Sequence, residues 1–228
     1  MKPFQLYKDL LPTIYWIGII LLLSPTILPA QKQQKVLDSL LTALKSMPSD
    51  TSRVQTYGQI SRLYAVNLDN AELATRYVDS VQLLSNQLQF ETGKSYGFFL
   101  QGLIDYKSGN YDKSLESYKK AHLGYLKTAD STYAISALQG MAQAYRQQGA
   151  YEKSLELLLR AAKFYEGRDP SYPLAVSYTG IANLFRVLEK FDSSISYHRK
   201  SLDILKNLGY TNLYAMGLQN MANVYVEK

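Results

Sequence analysis

A thirteen-residue pattern recurs along the chain at intervals of forty residues. It reads GNYDKSLESYKKA at 109–121, GAYEKSLELLLRA at 149–161 and EKFDSSISYHRKS at 189–201. A fainter copy, DNAELATRYVDSV, precedes them at 69–81. A repeat of this length is one small structural unit that cannot bury its apolar face alone, so consecutive units must stack. The sequence therefore predicts an array of similar units.

Several positions keep their residue type when the units are started at residues 55, 95, 135, 175 and 215. A small residue lies in the first half of each unit, and an aromatic residue, a serine and a second small residue lie in the second half. The matching residues are Gly102, Ala142, Ala182 and Ala222; Tyr111, Tyr151 and Phe191; Ser114, Ser154 and Ser194; and Ala121, Ala161 and Ser201. Small residues at fixed points let two helices approach closely, and the aromatic side chain fills the space beside them.

Each unit has the apolar spacing of two helices joined by a turn. In the segment 137–149 the apolar residues recur at steps of three and four, and Gly149 is placed to end the helix. A second helix, with apolar residues on one face, is predicted from Tyr151 to Tyr165. No stretch combines sustained period-two alternation with turn signals, so we expect an all-α fold.

These units resemble the tetratricopeptide repeat, a helix–turn–helix unit that is usually about 34 residues long. The residues that carry the resemblance are Gly102, Gly109, Tyr111, Ser114, Tyr118 and Ala121; Leu138, Met141, Ala142, Tyr145, Gly149, Tyr151, Ser154, Leu158 and Ala161; and Tyr178, Ile181, Ala182, Phe185, Phe191, Ser194 and Ser201. Two residues depart from the pattern, since Glu189 stands where glycine is usual and Asp105 stands at an aromatic position.

The resemblance implies a right-handed α-solenoid of stacked units with a period of roughly forty residues. The implied organisation is a lead-in helix at 31–54, a divergent unit at 55–94, full units at 95–134, 135–174 and 175–214, and the first helix of an incomplete unit at 215–228.

A second resemblance lies ahead of the clear repeats. The stretch KVLDSLLTALKSMPSDTSRVQTYGQIS at 35–61 resembles the lead-in helix of exported repeat arrays in sensor histidine kinases and transcription regulators of Bacteroidetes-type bacteria. In those proteins the array is followed by a membrane helix and a signalling module, which this sequence does not include. The last helix has the apolar residues of an internal helix rather than a polar cap, so we expect a fragment of a longer protein. The alternative is that this helix is itself the cap of the array.

The first thirty residues have the layout of a secretory signal peptide. Lys2 and Lys8 precede an uncharged stretch at 10–30, whose residues 14–23 are apolar, and Ala30 offers a small residue at a candidate cleavage point. The uncharged stretch is also long enough to anchor the chain in a bilayer, although its prolines argue against one straight helix. Cleaved signal and uncleaved anchor both stay open. Either one predicts an exported chain, periplasmic or attached to the membrane through residues 10–30 and facing the periplasm.

The residue types that common catalytic and metal sites need are scarce. There is no cysteine, and the two histidines, His122 and His198, fall on packing positions of second helices. No sequence motif of a zinc protease, a serine hydrolase or a phosphate-binding loop is present. We therefore expect no enzyme activity, no metal and no cofactor.

The net charge of +6 is spread along the chain. Basic residues alternate with acidic ones, as in YDKSLESYKK, whereas a nucleic-acid binder usually concentrates Lys and Arg on one face. We therefore expect no nucleic-acid partner.

The resemblance to tetratricopeptide arrays also implies a concave groove lined by the first helices, along which a protein or peptide partner lies. By that analogy the groove residues are Gln139, Gln143, Arg146, Gln147, Thr179, Asn183, Arg186, Gln219 and Asn223. Amides can pair with a peptide backbone, and arginines can hold a carboxylate. The alternative is that these side chains only solvate an exposed helix face.

The function predicted from these features is a non-enzymatic exported scaffold for protein or peptide binding. The alternative is the sensory part of a histidine kinase or transcription regulator whose output module is missing from this chain.

Overall fold

The computed structural model describes residues 32–168 and 170–228, and this part of the chain is helical throughout, without strands. Its ten helices are α1 at 32–46, α2 at Thr51–Val66, α3 at Ala71–Gln87, α4 at Glu91–Lys107, α5 at Tyr111–Lys127, α6 at Ser131–Gln147, α7 at Tyr151–Tyr165, α8 at Tyr172–Val187, α9 at Phe191–Asn207 and α10 at Thr211–Glu227. The predicted all-α, right-handed α-solenoid is confirmed. None of these described helices is both long enough and apolar enough to cross a bilayer. The predicted signal peptide or anchor at 1–30 lies outside the described residues.

The helices from α2 onward form consecutive pairs. Helix α2 packs with α3, α4 with α5, α6 with α7 and α8 with α9, and α10 follows as a further first helix. The first helices α2, α4, α6 and α8 also contact one another in that order, so they make one layer of the array. Each first helix begins three or four residues before the unit boundary set from the sequence, as at Glu91 for the unit at 95.

The lead-in helix α1 packs on the first unit. It buries Leu37 and Leu44 in a small apolar cluster with Ile60 of α2. Within the described residues, α1 thus packs on apolar side chains of the first unit as a further helix of the array.

The turn between the two helices of a unit requires a residue with positive φ. Gly149, the predicted helix end, follows α6 with a φ of +76°, and Gly109 follows α4 with a φ of +77°. Glycine enters this left-handed region without a Cβ clash. Glu189 takes the same place after α8 with a φ of +56°. The turn survives there because the next backbone N–H, of Lys190, still donates to Phe185 O at 2.8 Å.

A buried serine joins the two helices of each unit from residue 95 onward. The Oγ atoms of these serines donate to a carbonyl oxygen of the first helix: Ser114 to Gly102 at 2.8 Å, Ser154 to Ala142 at 2.7 Å and Ser194 to Ala182 at 2.8 Å. All three serines are fully buried. The acceptor is always the small residue of the first helix, since only Gly or Ala lets the short serine side chain reach the backbone. The serine and the small residue are therefore two halves of one contact.

Tyr118 of α5 illustrates how closely successive units pack. Its ring is 3% exposed and lies between Gly102 of α4 and Gly140 of α6, where a Cβ at Gly140 would come within 2.5 Å of Tyr118 Cζ. In the next unit Leu158 takes the place of Tyr118, and a Cβ at Gly180 would come within 2.9 Å of Leu158 Cδ1. Glycine on a first helix thus makes room for a side chain of the preceding second helix.

We expect Gly140→Ala to destabilise the array by a net amount of about 1 kcal/mol. Overpacking of the buried Tyr118 ring costs about 1–3 kcal/mol, which exceeds the gain of about 1 kcal/mol from replacing a helical glycine by alanine. Urea denaturation of Gly140→Ala, Tyr118→Leu and the double variant gives the comparison. The double variant should lose less stability than the sum of the two single changes, because the smaller leucine vacates the overlap. Equal stability of Gly140→Ala and the unmodified chain would contradict this packing.

Candidate functional site

A concave cavity of about 300 Å³ opens between the first helices α6, α8 and α10. It is lined by Ala142, Gln143, Arg146, Ser154, Leu158, Tyr172, Ala175, Val176, Thr179, Gly180, Asn183, Leu205, Leu213, Met216, Gly217 and Asn220. Among these described residues there is no carboxylate, histidine or cysteine. The cavity therefore offers apolar surface and neutral or cationic hydrogen-bonding groups, but no acid or base that titrates near neutral pH.

The floor of the cavity is apolar because side chains of second helices form it, in the gaps between the first helices. Leu158 of α7 and Leu205 of α9 are 4% and 5% exposed and lie at the bottom, together with the fully buried Ala142. Gly180 and Gly217 bring no side chain of their own into this space. The recess thus results from small residues on the first helices.

Four of the nine predicted groove residues line this cavity. Gln143 and Arg146 lie on α6, and Thr179 and Asn183 lie one repeat further along, on α8. Gln143 is exposed and the other three are half-buried. The solenoid therefore brings together polar side chains from two units around one apolar recess.

Thr179 presents an acceptor to the cavity. Its Oγ1 lies 2.8 Å from Ser201 Oγ, and Ser201 Oγ donates to Ala175 O at 2.9 Å. Because that bond uses the serine proton, Thr179 is the donor in its contact with Ser201. The lone pairs of the threonine oxygen stay available to a ligand.

The two predicted arginines differ in their electrostatic surroundings. Arg186 Nη1 lies 2.7 Å from Glu227 Oε1, in an ion pair between α8 and α10. None of the ion pairs in the described part of the chain includes Arg146. Among the described residues, no carboxylate competes for Arg146. An acceptor group of a partner can therefore bind its guanidinium directly.

Four further predicted residues lie away from the cavity lining. Gln139 is 7% exposed, and its Nε2 donates to Pro173 O and Ser177 Oγ, both at 2.8 Å, so it ties α6 to α8. Gln147 Nε2 donates to the Tyr106 hydroxyl at 3.0 Å. The remaining two, Gln219 and Asn223, are exposed on α10.

Several lining residues were missed by the sequence interpretation. The clearest example is Asn220, which takes the place of Gly140 and Gly180 in the forty-residue repeat. An amide at a position that is glycine in the two preceding units was a visible signal. The second-helix residues Leu158 and Leu205 gave no such signal, because they follow the ordinary packing pattern.

His198 of α9 is a packing residue, as predicted from its place in the repeat. It is 1% exposed, and its Nε2 has no hydrogen-bond partner in the part of the chain that the structure describes. Burial lowers the pKa of His198, and the positive charge of Arg186 lowers it further. The imidazole is therefore neutral at neutral pH. The other histidine, His122, has its Nδ1 2.8 Å from Ala134 O and is half-buried. No cluster of side chains suited to a metal ion occurs within residues 32–168 and 170–228.

Comparison with known proteins supports the architecture. Residues 97–167, which span most of α4 to the end of α7, match the family model described as tetratricopeptide repeat. No curated protein sequence matches the chain.

Three solved structures are similar in fold. A signal transduction ATPase with numerous domains (STAND) that has a tetratricopeptide repeat sensor, from Pyrococcus horikoshii, is 17% identical with a TM-score of 0.67 over 85% of this chain and 30% of that chain. BtubC (BKLC) from P. vanneervenii is 15% identical with a TM-score of 0.66, over 86% and 82%. A Rap protein complexed with competence and sporulation factor is 16% identical with a TM-score of 0.60, over 87% and 60%.

At these identities the likeness concerns the fold. The chain spans less than a third of the length of the STAND protein, so the rest of that protein has no counterpart in the alignment.

We expect the stability of the array to fall as the pH drops below about 6.5, the usual pKa of histidine. The pKa of His198 is lowered in the folded chain, so below pH 6.5 the unfolded chain binds a proton that the folded chain does not. The loss continues until the pH reaches the lowered pKa of the folded state. Urea denaturation at pH 7.5, 6.5 and 5.5 measures it.

His198→Leu is the matched control for this pH effect. Leucine is the residue at the same place in the preceding unit, as Leu158, so the variant should fold and should lose this part of the pH dependence. The two proteins differ only at residue 198, so the difference between their stability profiles isolates the contribution of His198. Parallel stability profiles of the variant and the unmodified chain would contradict the assignment.

Proposed function

We propose that the chain is a non-enzymatic, exported tetratricopeptide-repeat scaffold that binds a protein or peptide segment at the cavity between α6, α8 and α10. The observation that carries the proposal is the pairing of an apolar recess with Gln143, Arg146, Thr179 and Asn183 at its edge. A partner segment inserts an apolar side chain into the recess. Its backbone then pairs with the amides, and an acceptor group meets Arg146.

The size of the cavity supports a peptide or protein segment as the occupant. At about 300 Å³ it lies at the small end of ligand pockets, which run from about 300 to 1,000 Å³, and it is open to solvent. A recess of this size takes one or two side chains, and the rest of an extended segment lies along the first helices.

The chemistry at the cavity supports binding rather than catalysis. Ser154 is the serine in the cavity lining, and its hydroxyl already donates a hydrogen bond to Ala142 O at 2.7 Å. The lining residues include no base that would activate this hydroxyl. Tetratricopeptide arrays are typically interaction scaffolds, and the Rap protein of similar fold was solved complexed with competence and sporulation factor.

Peptide binding should depend on the polar edge of the cavity. Peptide ligands are first selected from a displayed library of random linear peptides, with the unmodified chain as bait. We expect them to bind the Arg146→Ala variant at least about tenfold more weakly than the unmodified chain, because a hydrogen bond to a charged group contributes about 1.5–3 kcal/mol. Asn183→Ala should weaken binding about fivefold, by the loss of neutral hydrogen bonds. Isothermal titration calorimetry with the synthetic peptides gives the affinities.

Gln219→Ala is the matched control for the groove variants. Gln219 is an exposed amide on a first helix, like Gln143, but lies outside the cavity lining. It should leave both affinity and helical content unchanged. If Arg146→Ala and Asn183→Ala bind the selected peptides as well as Gln219→Ala does, the cavity is not the binding site.

The proposal that the chain is exported rests on the signal-like layout of residues 1–30. We expect a fusion of residues 1–40 to alkaline phosphatase lacking its own signal to be active in the periplasm of a Gram-negative host. Leu22→Arg should abolish this activity, because a charge in the apolar stretch prevents insertion. N-terminal sequencing of the full chain then distinguishes a cleaved signal, which leaves Gln31 first, from an uncleaved anchor. Absence of phosphatase activity from the fusion with the unmodified residues 1–40, or equal activity of the two fusions, would contradict export.

A second candidate function is the sensory part of a signal-transduction protein. Its support is the resemblance of residues 35–61 to the lead-in helix of exported sensor arrays, together with the similar fold of a STAND protein that has a tetratricopeptide repeat sensor. Continuation of the reading frame into a membrane helix and a kinase or DNA-binding module favours this candidate over the simple scaffold.

A further inference from the structure

At two unit boundaries, a polar side chain of a second helix contacts the start of the next first helix. Gln82 Nε2 of α3 donates to Lys94 O of α4 at 3.1 Å. His122 Nδ1 of α5 lies 2.8 Å from Ala134 O of α6. The two carbonyls occupy the same place in the forty-residue repeat, and so do the two side chains. Each of these first helices is therefore held by the second helix before it.

The boundary between the units at 135 and 175 has a different contact. Ala162 occupies the place of Gln82 and His122 in the repeat, and its methyl group cannot donate a hydrogen bond. The contact comes instead from the first helix α6, where Gln139 Nε2 donates to Pro173 O near the start of α8, at 2.8 Å. At this boundary the next unit is held across the gap between two first helices.

Gln139 makes two hydrogen bonds to α8. Its Nε2 also donates to Ser177 Oγ at 2.8 Å, while the serine hydroxyl donates to Pro173 O at 3.2 Å. Gln139 is 7% exposed and Ser177 is fully buried, so breaking these bonds leaves buried polar atoms unpaired. Within residues 32–168 and 170–228, both side-chain hydrogen bonds between α6 and α8 come from this one nitrogen.

The backbone connection into α8 is longer than the connections into the other first helices that follow a complete unit. It spans 166–171, whereas the connections into α4, α6 and α10 span 88–90, 128–130 and 208–210. A longer connection restricts the relative position of the two helices that it joins less tightly. The separation of α6 and α8 therefore depends more on side-chain contacts such as those of Gln139.

The cavity lies in the gap that Gln139 crosses. Gln143 and Arg146 of α6 line one side of it, and Thr179 and Asn183 of α8 line the other, whereas Gln139 is not part of the lining. A radial gap of about 0.5–1 Å beside an apolar side chain loses a quarter to a half of the dispersion attraction there. The separation of the two helices thus decides which side chain fills the recess well.

We propose that Gln139 is a positioning residue that fixes the separation of α6 and α8 and thereby selects the size of the apolar side chain that enters the recess. The proposal rests on the proposed function, because it concerns the same cavity. It differs from the role predicted for Gln139 from the repeat, that of a groove residue in contact with the partner. Its amide acts on the bound segment only through the position of α8.

The separation of α6 and α8 is measured in the free chain by double electron–electron resonance between two spin labels. The chain has no cysteine, so the labels attach only to introduced cysteines. Gln147→Cys with Val187→Cys reports the gap between α6 and α8, since both residues are exposed and end their helices. Lys107→Cys with Gln147→Cys reports the gap between α4 and α6. Gln139→Leu keeps a side chain of similar bulk without the donor, so it should lengthen and broaden the first distance and leave the second unchanged.

Two further variants separate the loss of this contact from a general loss of stability. Ser177→Ala removes one of the two acceptors and introduces the residue type of Ala137, which has the same place in the preceding unit. It should fold and show a smaller change in the same direction. Gln82→Leu is the matched control, because it removes the amide contact at an earlier boundary. It should leave the distance between residues 147 and 187 unchanged.

Selectivity for side-chain size is measured with peptides selected on the unmodified chain. Alanine replacement along a peptide identifies the apolar residue that enters the recess, and this residue is then changed to valine, leucine and phenylalanine. One methylene in an apolar pocket changes affinity by about tenfold or more, so the unmodified chain should discriminate at least about tenfold among the three peptides. In titration calorimetry Gln139→Leu should reduce this discrimination severalfold, and Gln82→Leu should retain it.

An unchanged distance between residues 147 and 187 in both Gln139→Leu and Ser177→Ala overturns the proposal, whether or not a peptide binds. Equal discrimination by Gln139→Leu and the unmodified chain also overturns it, as does an equal loss in Gln82→Leu, which would reflect stability alone. A changed distance when the unmodified chain selects no peptide supports the positioning role and contradicts the proposed function. Failure of one proposal is thus distinguishable from failure of the other.

Discussion

The hydrogen bond from a buried serine to the carbonyl of a small residue on the partner helix is the contact on which the array depends. Its donor is too short to reach the backbone unless the two helices lie very close, so it requires Gly102, Ala142 or Ala182 on the other side. Once that distance is set, the larger side chains have one way to fill the remaining space. Tyr118 then lies between Gly102 and Gly140, and each unit packs on the next in the same register.

The candidate site is a consequence of the same small residues. Where the first helices carry Ala142, Gly180 and Gly217, they leave a recess on the concave side that reaches down to leucines of the second helices. Polar residues occur around it because the concave side of a solenoid faces water and is not needed for stacking. Residues that do not take part in stacking are the least repetitive part of each unit.

The structure brings four of the nine predicted groove residues to one cavity and places the other five outside its lining. The four that line the cavity are Gln143, Arg146, Thr179 and Asn183. Gln139, predicted from the same periodicity, instead donates its amide hydrogens to Pro173 O and Ser177 Oγ of α8. Arg146 and Arg186 are equivalent in the repeat, yet among residues 32–168 and 170–228 a carboxylate, that of Glu227, pairs with Arg186 and none pairs with Arg146. In each case the deciding partner lies 34 to 41 residues away, on a neighbouring unit.

The amino-acid sequence by itself determined the period and the two-helix unit, because both depend on residue types that recur at fixed spacings along the chain. The tertiary structure alone decided which polar side chains meet at one recess and which are already engaged in contacts between units. Those outcomes depend on the distance between helices that are far apart in the chain, and a periodic pattern carries no information on that distance.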